Sequence, residues 1–167
     1  MKAPVLCPIL LTAMDESSMM IPVRLSRIVI RDKSDHQWIF LTEQEGVRGF
    51  PIVIGPSEAN EIRRVVTDTP ALRPLTHQLA LDSITALGGE VTGVDIVSLR
   101  DNTFYARMLL SRAGETVEVD ARPSDAVALG LRAGCPIRVA EEVLEEARSD
   151  TATDPLPEED GEEDAEE

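Results

Sequence analysis

Apolar and polar residues alternate from Val23 to Asp32 (VRLSRIVIRD), break at a polar turn, and resume over Gln37–Glu43 (QWIFLTE) and Phe50–Gly55 (FPIVIG). A period of two is the mark of a half-buried strand, so this region predicts three strands joined by tight turns, with Gly46 and Gly49 in the second turn. The period then lengthens. PSEANEIRRVV, from Pro56 to Val66, carries a proline suited to a first helical position and Glu58 in the first turn, where a carboxylate complements the helix dipole. RPLTHQLALDSITALGG, from Arg73 to Gly89, predicts a second helix with Thr76 as N-cap and Gly88-Gly89 as its stop.

The same order then recurs. EVTGVDIVSLRD, TFYARMLL and ETVEVDA predict three more strands, and RPSDAVALGLRAG another proline-started helix, stopped at Gly134 with Pro136 forbidding its continuation. A short strand, IRV, and a last helix, EEVLEEARS, follow. Pro56-Ser57-Glu58-Ala59 aligns with Pro123-Ser124-Asp125-Ala126, Trp38 with Tyr105, and Arg31-Asp32 with Arg100-Asp101, the first turn being two residues longer. The expected fold class is therefore α+β: an antiparallel or mixed sheet with helices, built by internal duplication of a three-strand-plus-helix unit.

Charge changes the picture at the ends. Ten of the 31 acids lie in residues 150–167, which contain no base; the rest of the chain holds 21 acids against 16 bases. Residues 149–167 read as a disordered acidic tail, residues 1–20 as a disordered extension, and residues 21–148 as the folded domain. A net-acidic body argues against broad electrostatic capture of a phosphate backbone, although a local basic patch stays compatible with it. Only Lys2 and Lys33 are lysines, so arginine carries almost all the positive charge. The aromatic residues Trp38, Phe40, Phe50, Phe104 and Tyr105 all fall in predicted strands and offer few stacking platforms for single-stranded nucleic acid. Cys7 and Cys135 have no CxxC spacing and read as free thiols. With no run of about 20 apolar residues and no leader-like start, the expected place is the cytoplasm, without a membrane partner.

Motifs for nucleotide loops, hydrolase elbows and zinc sites are absent from the sequence. The chemistry-bearing stretch is VDARPSDA. Strand alternation turns Val117, Val119 and Ala121 toward a core and Glu118, Asp120 and Arg122 away from it. Pro123 then starts a helix whose first turn holds Ser124 and Asp125. Such a corner can bind an anion through backbone N–H groups and a guanidinium, or a divalent cation such as Mg²⁺ through Asp120 and Asp125. It can equally be structural, with Asp125 answering the dipole and Arg122 pairing with Asp120 or Glu118. Pro-Ser-acid-Ala occurs twice and reads as a helix-start device, whereas Asp120 and Arg122 stand where the first copy has Val53 and Gly55. His77, at a predicted helix start, is the candidate general base. His36, in the turn KSDHQW, reads as a solvent residue.

FPIVIGPSEA, RPLTH, TFYARMLL and VEVDARPSDAVALGLRAGCPIRVAEEV, in this order, resemble the bifunctional nuclease domain family, and the resemblance runs from about Met20 to Ala147. It implies nuclease activity on RNA and DNA, an activity assigned from plant members. On the matching motifs, the polar residues available are His77, Asp120, Arg122 and Asp125 as catalytic candidates, with Arg122, Ser124 and Glu58 as substrate-binding candidates. The expected function is a low-specificity nuclease acting on a nucleic acid substrate, possible as a homodimer. The alternative is a non-catalytic oligomeric module that recognises an anionic ligand or a protein partner.

Overall fold

The computed structural model describes residues 19–148; the predicted N-terminal extension, Cys7 and the acidic tail lie outside the described residues. The chain runs β1 (Met20–Val29), β2 (Gln37–Glu43), β3 (Gly49–Ile54), α1 (Pro56–Val66), α2 (Thr76–Ala86), β4 (Gly89–Arg100), β5 (Thr103–Arg112), β6 (Glu115–Ala121), α3 (Pro123–Ala133), β7 (Ile137–Ala140) and α4 (Glu141–Glu146). The α+β expectation holds, and the order of three strands then a helix occurs twice. The strands form one mixed sheet in the order β3-β2-β1-β7-β4-β5-β6. Each meander is antiparallel. Short β7 joins the two, antiparallel to β1 and parallel to β4. That pairing explains why β1 starts at Met20, three residues before the alternation predicts: Met20–Val23 lie beside Ile137–Ala140.

The sheet is strongly curled. In a flat sheet β3 and β5 would lie roughly 24 Å apart, five strand spacings. Phe50 of β3 and Phe104 of β5 instead stack with ring centroids 5.4 Å apart. Register shifts at Leu25/Arg27, Val91/Gly93 and Ile96/Ser98 supply local bends in the long strands. The curl brings the two sheet edges, β3 and β6, to opposite sides of one cleft.

The core lies between the sheet and the helices. Ile39, Leu41, Phe50, Ile62, Val94, Ile96, Val127, Val139 and Leu144 are its largest fully buried apolar side chains. Helix α3 is the central one, burying six residues from Ser124 to Gly130, whereas α2 buries none fully. Small residues let α3 sit close to the sheet: a Cβ on Gly130 would lie 2.9 Å from Val94 Cγ2. Gly134 ends the helix at φ 68°, the left-handed cap that glycine adopts without steric cost. The three helices are tied by Arg132 of α3, which pairs with the buried Glu61 of α1 and donates to Gln78 Oε1 of α2 at 2.6 Å.

Three local expectations change. Leu75, not Thr76, is the N-cap of α2, with no side-chain capping bond, and Thr76 is the first helical residue. Val117 is exposed rather than turned into the core, because β6 is an edge strand whose first half reaches beyond the helices; Val119 and Ala121 do pack against the core. The last helix ends at Glu146 rather than Ser149.

Candidate active site

The two Pro-Ser-acid corners meet. Helices α1 and α3 lie against each other, each with its proline in the first turn and its acid three residues after the N-cap. Arg122, the N-cap of α3, bridges the acids of both corners: Nη2 donates to Glu58 Oε1 at 2.8 Å, Nε to Asp125 Oδ2 at 2.7 Å, and Nη2 also to Asp125 Oδ1 at 3.1 Å. The partners expected from the sequence, Asp120 and Glu118, are not the ones used. Glu118 pairs with Arg107 at 3.0 Å.

Glu58 reaches Arg122 because of the residue at the other N-cap. A Cβ on Gly55 would lie 2.5 Å from Glu58 Oε2, so the missing side chain leaves the space that the carboxylate occupies. Arg122 is also two-thirds exposed, with 68% of its side-chain surface accessible, so it can meet a ligand while held by two acids. Three of its five N–H donors are spent on these acids, and the Nη1 pair stays unengaged among the described residues. The hydrogen bonds it donates to Asp125 and then to Glu58 raise the guanidinium further above its already high range, so it is permanently charged.

His77 stands behind this arginine. Its Nε2 lies 3.0 Å from Asp125 Oδ1, and its side chain is mostly buried. Burial alone would raise the Asp125 carboxyl, but the hydrogen bonds from Arg122 and His77 outweigh it and hold the group below the usual carboxylate range. Asp125 is therefore a charged link between the ring and the guanidinium, with both oxygens occupied.

In front of Arg122 opens a cleft of about 660 Å³. Its apolar lining comes from Pro51–Ile54 of β3 and from Phe104 and Tyr105 of β5; its polar lining comes from Glu58, Asp120, Arg122 and Ser124 and from Asp35 and His36 of the β1–β2 turn. Asp120 is the register partner of Arg107 on β5. Arg107, however, is engaged by Glu118 and by the buried Asp95, the latter also held by Arg138 at 2.8 Å. The Asp120 carboxylate is thus left at the rim with no partner among the described residues.

The candidate residues therefore divide. Glu58, Asp120, Arg122 and Ser124 line the cleft, whereas His77 and Asp125 touch it only through Arg122. Of the Asp120–Asp125 pair considered for a cation, Asp125 has both oxygens hydrogen-bonded to Arg122 or His77, and no cluster of three or more His, Cys, Asp or Glu side chains able to hold a metal occurs among the described residues. His36, read from the sequence as a solvent residue, lines the cleft together with Asp35, because the register of β2 on β3 sets Gln37 beside Ile54 and so the end of the β1–β2 turn beside the cleft. A second hollow, of about 520 Å³, runs between β1 and the α3–β7 turn. It contains Cys135, a free thiol that burial pushes up, away from the reactive thiolate.

The sequence profile of the bifunctional nuclease domain matches residues 39–152, which include every residue of this site except Asp35 and His36. The chain belongs to the bifunctional nuclease domain family. An uncharacterised protein of Mycobacterium tuberculosis is 42% identical over 125 residues, 75% of this chain and 74% of that protein. Bifunctional nuclease 1 of Arabidopsis thaliana is 28% identical over 112 residues, 65% of this chain and 34% of the plant protein. Bifunctional nuclease 1 of Oryza sativa subsp. indica is 25% identical over 114 residues, 66% of this chain and 34% of that protein. The chain thus spans about a third of the plant nucleases it matches. No helix among the described residues is long and apolar enough to cross a membrane.

Proposed function

We propose that this chain is a low-specificity nuclease that hydrolyses phosphodiester bonds of RNA or DNA in the cleft between β3 and β6. The observation that carries the reading is Arg122: an exposed guanidinium fixed from behind by two acids, with its Nη1 donor pair directed to no protein group. The two N–H groups of Nη1 can each donate to a phosphate oxygen, and a charge held in place before the substrate arrives stabilises the transition state without reorganising. Glu58 and Asp125 set the angle of the guanidinium plane. His77, which touches Asp125 and not the cleft, is a positioning residue. The plant relatives are bifunctional nucleases by name, which supports the same reading.

The test is degradation of single-stranded RNA and DNA by the purified full chain, with and without Mg²⁺ or Mn²⁺. The parent should cleave, Arg122→Ala should abolish cleavage, and both should melt at closely similar temperatures. Equal activity in parent and variant would remove Arg122 from the site. A second reading, a non-catalytic oligomeric binding module, is favoured by one observation: Leu72, Leu75, Leu79 and Leu87 are exposed in and around α2, beside His77. It takes over if the parent is inert under all conditions yet self-associates, with Leu79→Ser weakening the association in light scattering.

A further inference from the structure

Two imidazoles stand near Arg122, and they are held in opposite ways. His77 is mostly buried and spent on Asp125. His36 is exposed, lines the cleft, and its ring makes no hydrogen bond or ion pair among the described residues.

The turn that carries His36 is more elaborate than a chain reversal needs. The matching β4–β5 turn is closed by Asp101 and Asn102, both at positive φ, as a tight two-residue hairpin. The β1–β2 turn is longer and is held by Gln37, a glutamine only 2% exposed. Its Oε1 accepts from Arg31 N at 2.6 Å, while its Nε2 donates to Arg31 O at 3.1 Å and to Ser34 O at 2.7 Å. Ser34 Oγ in turn donates to His36 O at 3.1 Å and accepts from His36 N at 3.2 Å. Burying an amide is costly unless its polar atoms are satisfied; here the whole amide is satisfied by one turn, whose tip presents Asp35 and His36 to the cleft. Lys33, at φ 65°, is held in a conformation that a side chain disfavours, so the turn is imposed by these bonds rather than by local preference.

We propose that His36 is the proton-transfer residue of the cleft, acting on a phosphodiester held by Arg122, with Gln37 as its positioning residue. The proposal rests on the nuclease reading and assigns the base within it. His36 takes a proton from the attacking water, whose oxygen forms the new bond to phosphorus. The bond to the leaving sugar oxygen breaks with its electron pair. That alkoxide takes a proton from solvent, and the imidazolium returns its own. Of the groups facing the cleft (Asp35, His36, Glu58, Tyr105, Asp120 and Arg122), Glu58 is committed to Arg122, and imidazole is the side chain most often used to move a proton in a transition state.

The experiment compares His36→Ala, Gln37→Ala and His77→Gln with the parent on single-stranded RNA. Removing a general base lowers kcat by about 10²–10⁴-fold. His36→Ala should show that loss with KM little changed, lose the rise of rate with pH on the acid side, and recover part of its activity on addition of free imidazole. Gln37→Ala should lower kcat less and keep the pH profile. His77→Gln should act mainly through KM, keep the acid limb, and gain nothing from imidazole. A His36→Ala protein that cleaves as fast as the parent, or a loss that imidazole fails to restore while His77→Gln is restored, overturns the assignment and leaves the nuclease reading standing. A parent that cleaves nothing overturns the nuclease reading and the His36 role together, so the two failures are told apart.

Discussion

The two strand–helix corners share Pro-Ser-acid-Ala, yet they do different work. The shared part is structural in both: Ala59 and Ala126 are fully buried under the helix starts, and each acid sits at the positive end of a helix dipole. The difference that joins them lies at the N-cap. The first corner has Gly55 there and the second has Arg122. The glycine leaves a gap into which Glu58 folds; the arginine supplies the cation that Glu58 finds. Neither corner makes the site by itself. A repeated device becomes a site where its two copies touch and differ by a side chain, and the burial of α3 fixes where that side chain stands.

Four changes break or sharpen this comparison. The largest effect should come from Arg122→Gly, which gives the second corner the N-cap of the first. It removes the proposed phosphate ligand, and a loss on the order of 10²–10³-fold in kcat/KM is expected, with a small change in melting temperature. Steady-state kinetics on a defined RNA check this; a loss below tenfold would mean that the corners do not differ in function. Next come the shared alanines. Ala59→Leu and Ala126→Leu overfill packed sites, and each should destabilise the fold by about 1–3 kcal/mol in chemical denaturation. If one variant is neutral, the corners are not equivalent as helix starts.

Acid sensitivity should follow the second corner. The Asp125 carboxyl is held below the value of an unfolded chain, about 3.9, so its contribution is complete above that pH and lost as the pH falls through the lower folded value. Denaturation midpoints measured from about pH 6 down to about pH 2 should fall less steeply for Asp125→Asn than for the parent. Identical slopes would mean that Arg122 and His77 do not hold that carboxylate in solution. The smallest effect should come from Gly55→Ala. The new Cβ meets the flexible end of Glu58 rather than backbone, so stability should change by less than about 0.5 kcal/mol. Glu58 should swing off Arg122 and raise KM a few-fold; an unchanged KM would make the Glu58 contact incidental.

Much of the fold was legible because alternation and proline-started helices are local signals. The strands, the two meanders and the starts of α1 and α3 follow from periods of two and of 3.6. What went astray was decided by neighbours distant in sequence. Val117 alternates like a core residue, yet it lies on an edge strand beyond the helices. Arg122 was expected to pair along its own strand, but its partners come from two helices, one of them 64 residues away. His36 is exposed, as the polar turn around it suggests; what the local pattern does not show is that this turn lines the cleft and is held by the buried amide of Gln37.

The sequence by itself determined the elements, the twin helix starts and the short set of residues able to do chemistry, because hydrophobic period, proline and charge act within a few residues. Only the tertiary structure decided which of those residues share a cleft. That choice depends on the curl of a seven-stranded sheet and on α1 lying against α3, which bring Glu58, Asp120, Arg122 and His36 around one opening and leave His77 behind Asp125. Curl and helix contact arise from packing summed over the whole core, and no short stretch of chain encodes such a sum.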